Sequence, residues 1–228
     1  MQKGICHVAQ IPLRGEPQSS AEMVSQLLFG ETYTILTQQK DWYRVTMDFD
    51  GYTGWLSKSS FQEAIIADRY VQQDLFASEQ NDIVKGTVLS SMGSEMIGSS
   101  ASEEDVFIQD LAKKFLGTPY LWGGRHFSGI DCSGLVQVIY KVLGIQLPRD
   151  ASQQQKVGKS VAFEDLFTGD LVFFEHNERV GHVGLVIGQG KVIHAHGMVR
   201  IDTLTKKGII NMETKEMTHF YHSAKRLR

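Results

Sequence analysis

Gly129-Ile130-Asp131-Cys132-Ser133-Gly134 places one of the two cysteines of this 228-residue chain directly before an apolar helical pattern. The apolar residues spaced over 135–143, followed by Gly144, predict a helix that begins at the cysteine. At that position the helix dipole favours the thiolate, which is the reactive form of cysteine. A free cysteine is often only a small buried residue, but the polar and glycine-rich neighbours of Cys132 favour a reactive role.

Two histidines follow on strand-like segments. His182-Val183-Gly184-Leu185-Val186-Ile187 and Lys191-Val192-Ile193-His194-Ala195-His196 are separated by Gly188-Gln189-Gly190, which predicts an antiparallel hairpin. The hairpin would bring His182 and His194 close together on one sheet. Because a thiolate needs a positioned imidazole for acyl transfer, Cys132, His182 and His194 form a candidate catalytic group.

A metal site is the alternative interpretation of these residues. On a strand, His196 points to the same face as His194. Four possible zinc ligands are therefore present: Cys132, His182, His194 and His196. No carboxylate has the spacing of a metal motif, and a Cys–His pair works without metal, so we expect no metal and no other cofactor. Four other histidines are interpreted as surface or hydrogen-bonded residues: His7, His176, His219 and His222.

Residues 1–61 have the pattern of a small all-β domain. Thr32-Tyr33-Thr34-Ile35-Leu36 and Tyr43-Arg44-Val45-Thr46-Met47 are rich in β-branched and aromatic residues, and turn signals such as Asp48-Phe49-Asp50-Gly51 lie between such runs. Asp41-Trp42-Tyr43-Arg44-Val45 followed by Gly51-Tyr52-Thr53-Gly54-Trp55-Leu56 resembles the bacterial SH3 (SH3b) pattern, in which a Trp-rich strand pairs with a Gly-Trp-hydrophobic strand. We predict an SH3b-like barrel over residues 1–61.

Residues 62–101 are predicted as a bridging segment or a degenerate second SH3b domain. Ile65-Ile66-Ala67 and Gly86-Thr87-Val88-Leu89 resemble short strands, but the sequence of this stretch has no second Gly-Trp strand. A helix is then predicted from Ser102, a suitable N-cap followed by three acidic residues, to a stop at Gly117. We assign residues 102–228 to one catalytic domain, with helices followed by an antiparallel sheet.

Five motifs of this second domain follow one another in chain order: Gly117-Thr118-Pro119-Tyr120-Leu121-Trp122-Gly123-Gly124, Asp131-Cys132-Ser133-Gly134-Leu135-Val136, Gly169-Asp170-Leu171-Val172-Phe173-Phe174, His182-Val183-Gly184-Leu185-Val186-Ile187-Gly188 and Val192-Ile193-His194-Ala195. Together they resemble the NlpC/P60 papain-like cysteine peptidases, which cleave peptidoglycan peptides. The resemblance implies an α+β fold, with a papain-like NlpC/P60 catalytic domain preceded by a small all-β SH3b-like barrel.

The resemblance also implies roles for individual residues. Cys132 would be the nucleophile, His182 the general base and His194 the orienting third residue. Tyr120 would lie beside the nucleophile, near the oxyanion or the substrate. For Trp122 we expect packing in the core.

The combination of domains is similar to the γ-D-glutamyl-L-diamino acid endopeptidases of the dipeptidyl-peptidase VI type. These enzymes act on peptides whose L-Ala has a free amine, and they release L-Ala-γ-D-Glu. A bound ammonium needs anionic and aromatic partners. The similarity implies that Asp131, Ser133 and Tyr120 supply the near side of that pocket. Glu22 and Tyr52 of the barrel would supply the far side, the alternatives being a solvated surface charge and a packing residue.

Composition limits the other possibilities. A formal net charge of −3 and 21% charged residues suggest neither nucleic acid nor a membrane surface as a partner. We expect peptidoglycan peptides (L-Ala-γ-D-Glu-diamino acid) as the partner and a monomeric protein. Because no apolar run could span a membrane and residues 1–8 lack the apolar region of a signal peptide, we expect a cytoplasmic protein, or a periplasmic or secreted one if a leader is removed. The alternative functions are an amidase or acyltransferase on the same scaffold, and a non-catalytic cell-wall-binding module.

Overall fold

A computed structural model describes residues 2–64, 101–176, 179–188 and 190–228. The strand-like segments at 65–67 and 86–89 lie outside these residues, so the choice between a bridging segment and a second barrel stays a prediction. The described part comprises an N-terminal β-barrel and an α+β domain. Within it, no helix is long and apolar enough to span a membrane.

Six antiparallel strands form the N-terminal barrel, as the sequence predicts. The strands are β1 (Lys3–Ile5), β2 (Gln10–Arg14), β3 (Met23–Leu28), β4 (Thr32–Gln39), β5 (Trp42–Met47) and β6 (Thr53–Ser57), followed by a 3-10 turn at Lys58–Ser60. They are ordered β1-β4-β5-β6-β2-β3. The Trp-rich strand β5 pairs with the Gly-Trp strand β6, with Tyr43 opposite Leu56. Alternate residues of the strands fill the barrel core, among them Leu13, Leu27, Tyr33, Val45 and Leu56.

The second domain starts with helices and continues as strands. Its elements are α1 (Ala101–Lys113), β7 (Arg125–His126), β8 (Gly129–Ile130), α2 (Cys132–Val142), α3 (Ala151–Gln154), β9 (Lys159–Ser160), a 3-10 turn (Phe163–Asp165), β10 (Leu171–His176), β11 (Arg179–Val186), β12 (Lys191–His196), β13 (Met198–Thr205), β14 (Gly208–Ile210) and β15 (Met217–Arg226). Helix α2 begins at Cys132 and ends before Gly144, whose φ of 75° suits glycine at the end of a helix. The predicted helix after the cysteine is confirmed.

The predicted antiparallel sheet closes on itself. Strand β10 pairs with both β11 and β15, so strands β10–β15 form a six-stranded barrel. Side chains alternate along β11: Val183 and Leu185 pack outwards in the core shared with α2, while Val186 packs in the second core with Phe174. His182 alternates with Val183, and its ring contacts the Phe174 ring. Closure of the barrel therefore brings the imidazole next to Phe174.

A buried ion cluster joins the two domains. Arg125 on β7 is fully buried, and its guanidinium donates to both oxygens of the Glu31 carboxylate at 2.8 and 2.9 Å. Lys141 of α2 contacts the same carboxylate, and its ammonium lies 4.4 Å from the centre of the Phe49 ring. The backbone N–H of Arg125 donates to the Gln26 side chain at 2.7 Å. The cluster fixes the barrel against the segment that leads into α2.

Candidate active site

Cys132 is the first residue of α2 and lies under strand β11. Its side chain is buried, with 6% of the residue exposed. Burial, followed by the adjacent Asp131 charge, raises the pKa of the thiol to about 12, while hydrogen bonds from the backbone of Val183 and Ser133 oppose the rise. Burial and the Asp131 charge therefore oppose the thiolate, which the helix dipole favours. The sulfur must therefore lose a proton during attack.

Three side chains form a buried hydrogen-bonded chain. Nε2 of His182 lies 2.8 Å from Nδ1 of His194, and Nε2 of His194 lies 3.0 Å from Oδ2 of Asp202. The hairpin of β11 and β12 brings the two histidines together as predicted, and β13 adds Asp202. Burial, followed by the neighbouring histidines, holds the pKa of His182 well below its usual value. The imidazole is therefore neutral at neutral pH, as a general base must be.

His219 of β15 covers the face of the His182 ring. The two rings stack with their centres 4.1 Å apart and their planes 20° apart. The ring of His196 lies 4.9 Å from that of His219, nearly perpendicular to it. His219 is hydrogen-bonded to the Thr218 hydroxyl, in line with the interpretation from sequence, but closure of the barrel also places its ring in this site.

The rings of His182 and His219 are stacked, and the His194 ring is nearly perpendicular to both. Ligand-capable atoms of His182, His194 and His219 lie within 4.8 Å of one another, which differs from the predicted alternative set with Cys132 and His196. Because the rings of His182 and His219 are nearly parallel, a single ion could not lie in both ring planes. Nitrogen lone pairs lie in the ring plane, so we assign these residues to hydrogen bonding and packing.

A cavity of about 320 Å³ opens beside Cys132 between the two domains. The barrel contributes Glu22, Val24 and Tyr52, and the catalytic domain contributes Trp122, Gly123, Asp131, Cys132, Ser133, Arg149, Asp150, Ala151, Ser152 and Gly181. Four of the five predicted substrate-binding residues thus meet at one cavity. The fifth, Tyr120, is half-buried and packs against the core next to it. Tyr120 forms a β-bridge with Ile130, two residues before Cys132, and burial raises the pKa of its hydroxyl.

Asp131 lies at this cavity, but both of its carboxylate oxygens already accept hydrogen bonds from the protein. Its Oδ1 accepts hydrogen bonds from the Gly134 N–H at 2.7 Å and the Ser133 hydroxyl at 3.2 Å, which caps α2. Its Oδ2 accepts one from the Gly123 N–H at 2.8 Å. The buried Arg149 guanidinium spans both oxygens. A substrate ammonium at Asp131 would therefore compete with an existing counter-ion.

Asp150 is the carboxylate that sequence reasoning missed. Its side chain lines the cavity and is hydrogen-bonded to the Tyr52 hydroxyl. Burial raises the pKa of Asp150, and Arg149 opposes that rise. Burial, followed by the Asp150 charge, raises the pKa of Tyr52 to about 12. With Glu22 and Asp131, the cavity has three carboxylates against one guanidinium, so it favours a cationic group.

Two family models match the chain. The NlpC/P60 family model matches residues 117–222, and a model described as the bacterial dipeptidyl-peptidase Sh3 domain matches residues 13–61. The γ-D-glutamyl-L-lysine dipeptidyl-peptidase of Bacillus subtilis (strain 168) is 31% identical over 215 residues, covering 75% of this chain and 71% of the relative. The chain belongs to the NlpC/P60 family.

Other NlpC/P60 proteins extend the comparison. The murein DD-endopeptidase MepS/murein LD-carboxypeptidase of Escherichia coli (strain K12) is 43% identical over 89 residues, covering 39% of this chain and 47% of the relative. A solved NlpC/P60 family protein from Bacillus cereus ATCC 10987 shares the fold, with a TM-score of 0.74 at 23% identity over 99% of each chain. As a member of this cysteine peptidase family, the chain is a hydrolase that uses a thiol.

Trp122 occupies a different place in this NlpC/P60 domain from the one expected. It is 59% exposed and lies at the cavity, so the prediction of core packing is wrong. The neighbouring Gly123 has a φ of 76°, and a Cβ there would lie 2.3 Å from the backbone oxygen of Met23. The loop is therefore pressed against the barrel at Gly123, which leaves the indole at the rim.

Proposed function

We propose that this protein hydrolyses the bond between γ-D-Glu and a diamino acid in peptidoglycan-derived peptides with a free N-terminal L-Ala, releasing L-Ala-γ-D-Glu. The observation that carries the proposal is the cavity beside Cys132, to which the barrel contributes Glu22, Val24 and Tyr52. A cavity bounded by a second domain on one side of a nucleophile accommodates a short acyl segment, whereas an open groove would accommodate a long chain. The name of the Bacillus subtilis relative supports the same bond type.

The carboxylates of the cavity support recognition of a free amine. We assign the ammonium of L-Ala to Asp150, with Tyr52 and Glu22 beside it. Asp150 and Tyr52 are already hydrogen-bonded to each other, which holds them in position before the substrate binds. In this proposal Asp131 and Ser133 act through Arg149 to shape the cavity, and the role implied for Asp131 passes to Asp150.

The reaction follows from the two neutral groups of the resting site. His182 removes the Cys132 proton as the sulfur attacks the γ-carbonyl carbon of D-Glu. His182 then gives this proton to the amine of the departing diamino acid, leaving a thioester on Cys132. His182 next removes a proton from a water that attacks the thioester, and the thiol leaves with that proton. The Tyr120 hydroxyl is our candidate donor to the oxyanion, because Tyr120 is bridged to Ile130, two residues before the nucleophile.

Asp150→Asn is expected to lower kcat/KM on L-Ala-γ-D-Glu-L-Lys by about 10–100-fold, because a desolvated ion pair to the ammonium is lost. On the same peptide with an N-acetylated L-Ala, the wild-type protein is expected to cleave slowly. Asp150→Asn is expected to change kcat/KM on that acetylated peptide only a little. Glu216→Gln, at an exposed position outside the cavity, is the matched control. Products are identified by mass spectrometry, and the expected product is the dipeptide L-Ala-γ-D-Glu.

Two results would count against the proposal. Equal cleavage of the blocked and free peptides would remove the amine-recognition role. Product masses without the dipeptide, or with an acyl group transferred to an added amine, would instead indicate an amidase or an acyltransferase.

A further inference from the structure

Asp202 of β13 is buried at the end of the histidine chain, with 1% of the residue exposed. Its Oδ2 accepts hydrogen bonds from Nε of Arg200 at 2.8 Å and from Nε2 of His194 at 3.0 Å. Its Oδ1 accepts from the Met212 N–H at 2.9 Å and from Nη2 of Arg200 at 3.2 Å. Each oxygen thus accepts two hydrogen bonds from groups of the protein itself.

We propose that Asp202 is a positioning residue that sets the tautomers of both histidines and thereby makes Nδ1 of His182 the nitrogen that takes the Cys132 proton. This proposal rests on the proposed function only in the kinetic experiment, which measures hydrolysis. The assignment of the tautomers does not depend on the substrate.

The charge of Asp202 fixes the first proton position. Burial alone would raise the pKa of this carboxyl, but hydrogen bonds from His194, the Met212 N–H and Arg200 hold it below its usual value. The group is therefore ionised, and an ionised carboxylate can only accept hydrogen bonds. The proton shared with His194 must consequently reside on Nε2 of that histidine.

The direction of the hydrogen bond between His194 and Asp202 then determines the direction of the one between His182 and His194. Burial lowers the pKa of His194, so its ring is neutral and has one N–H only. With that N–H at Nε2, Nδ1 of His194 is an acceptor, and its 2.8 Å partner, Nε2 of His182, must be the donor. A neutral His182 with its proton on Nε2 has its lone pair on Nδ1. Asp202 therefore determines, through two hydrogen bonds, that Nδ1 of His182 is the basic nitrogen.

If the hydrogen bonds between residue 202, His194 and His182 ran in the other direction, the protons would lie on the opposite ring nitrogens. An amide at position 202 can direct its NH₂ towards His194, which would make Nε2 of His194 an acceptor and Nδ1 a donor. His182 would then accept at Nε2 and present an N–H from Nδ1. In a serine-protease triad the analogous Asp→Asn change lowers kcat by about 10⁴-fold through the wrong tautomer. We therefore expect Asp202→Asn to act on kcat rather than on KM.

Arg200→Gln provides the matched control. It removes the guanidinium that holds Asp202 but leaves the carboxylate on His194, so the tautomers should stay unchanged. If Asp202 only stabilised the fold, both variants would lose activity in proportion to their loss of stability. If Asp202 sets the tautomers, only Asp202→Asn should change the identity of the protonated nitrogen.

The test combines kinetics with ¹⁵N NMR of the histidine rings in the full chain. We expect kcat of Asp202→Asn to fall by about 10²–10⁴-fold with KM within about threefold, and kcat of Arg200→Gln to fall by less than about tenfold. Wild-type His182 and His194 should both give the signature of a proton on Nε2, and Asp202→Asn should move it to Nδ1. The wild-type spectrum decides the matter even if Asp202→Asn does not fold or the substrate is different. A proton on Nδ1 of wild-type His182, or an unchanged kcat in a folded Asp202→Asn, would overturn the proposal.

Discussion

Cys132→Ala is expected to abolish peptide hydrolysis, with a fall in kcat of about 10⁵-fold or more, because no other group on α2 can form the thioester. Removing the nucleophile of a protease triad costs about 10⁶-fold in kcat, and the activity that remains comes from binding and oxyanion stabilisation. Binding of the substrate should survive, since Asp150 and Tyr52 are untouched. The measurement is turnover of L-Ala-γ-D-Glu-L-Lys together with calorimetric binding to the variant.

The second cysteine gives this experiment its control. Cys6 is also buried and unpaired, but it lies in the core of the N-terminal barrel, where its thiol donates to the Val8 carbonyl at 3.1 Å. Cys6→Ala should retain activity within about threefold while losing some stability. Hydrolysis by Cys132→Ala at more than about 1% of the wild-type rate would contradict the assignment of the nucleophile.

Glu31→Ala is expected to lower the free energy of unfolding by about 3–5 kcal/mol. The substitution leaves Arg125 and Lys141, both buried, without their shared counter-ion, and breaking a buried ion pair from one side has a cost of about this size. It also removes the acceptor of the Leu28 N–H. Chemical denaturation measures the change, and Glu16→Ala on the exposed surface is the control.

A triple apolar variant separates the contribution of the charges in this cluster to stability from the contribution of packing. Replacing Glu31, Arg125 and Lys141 together by Leu, Met and Met should recover most of the lost stability, because buried ion clusters are often no more stable than apolar residues of similar volume. A loss below about 1 kcal/mol for Glu31→Ala would show that the barrel and the catalytic domain are not coupled through this cluster.

The same carboxylate predicts a dependence of stability on pH. Although burial would raise its pKa, Arg125 and Lys141 lower the pKa of Glu31 from 4.5 to about 2. Because the folded pKa is depressed, the contribution of Glu31 is fully present above pH 4.5 and is lost as the pH falls towards 2. Glu31→Ala should therefore flatten the stability profile between these two values.

Local patterns predicted the parts of the site that depend on neighbours in sequence. The apolar spacing after Cys132 places it at the start of α2, and the short connection between β11 and β12 places His182 beside His194. The Gly-Trp strand likewise pairs with the Trp-rich strand of the barrel. In each case the pattern depends on side-chain periodicity or on a short turn, which a single sequence contains.

The rest depends on contacts between distant segments. His219 reaches His182 only because β15 closes the barrel against β10, and Asp202 reaches His194 only through the pairing of β13 with β12. Asp150 faces the cavity because the barrel brings Tyr52 to it. The raised pKa of the Cys132 thiol follows from burial by the whole domain, which a local dipole argument does not include.

We propose that Cys132 attacks the γ-D-Glu carbonyl of a peptide held by its free amine. Rapid acid quenching of the wild-type protein with L-Ala-γ-D-Glu-L-Lys, followed by peptide mapping, tests it directly. We predict an L-Ala-γ-D-Glu thioester on the peptide that contains Cys132, with none from the N-acetylated peptide and none in Cys132→Ala. An adduct on another residue, an adduct that contains the lysine, or equal labelling by the acetylated peptide would contradict the claim.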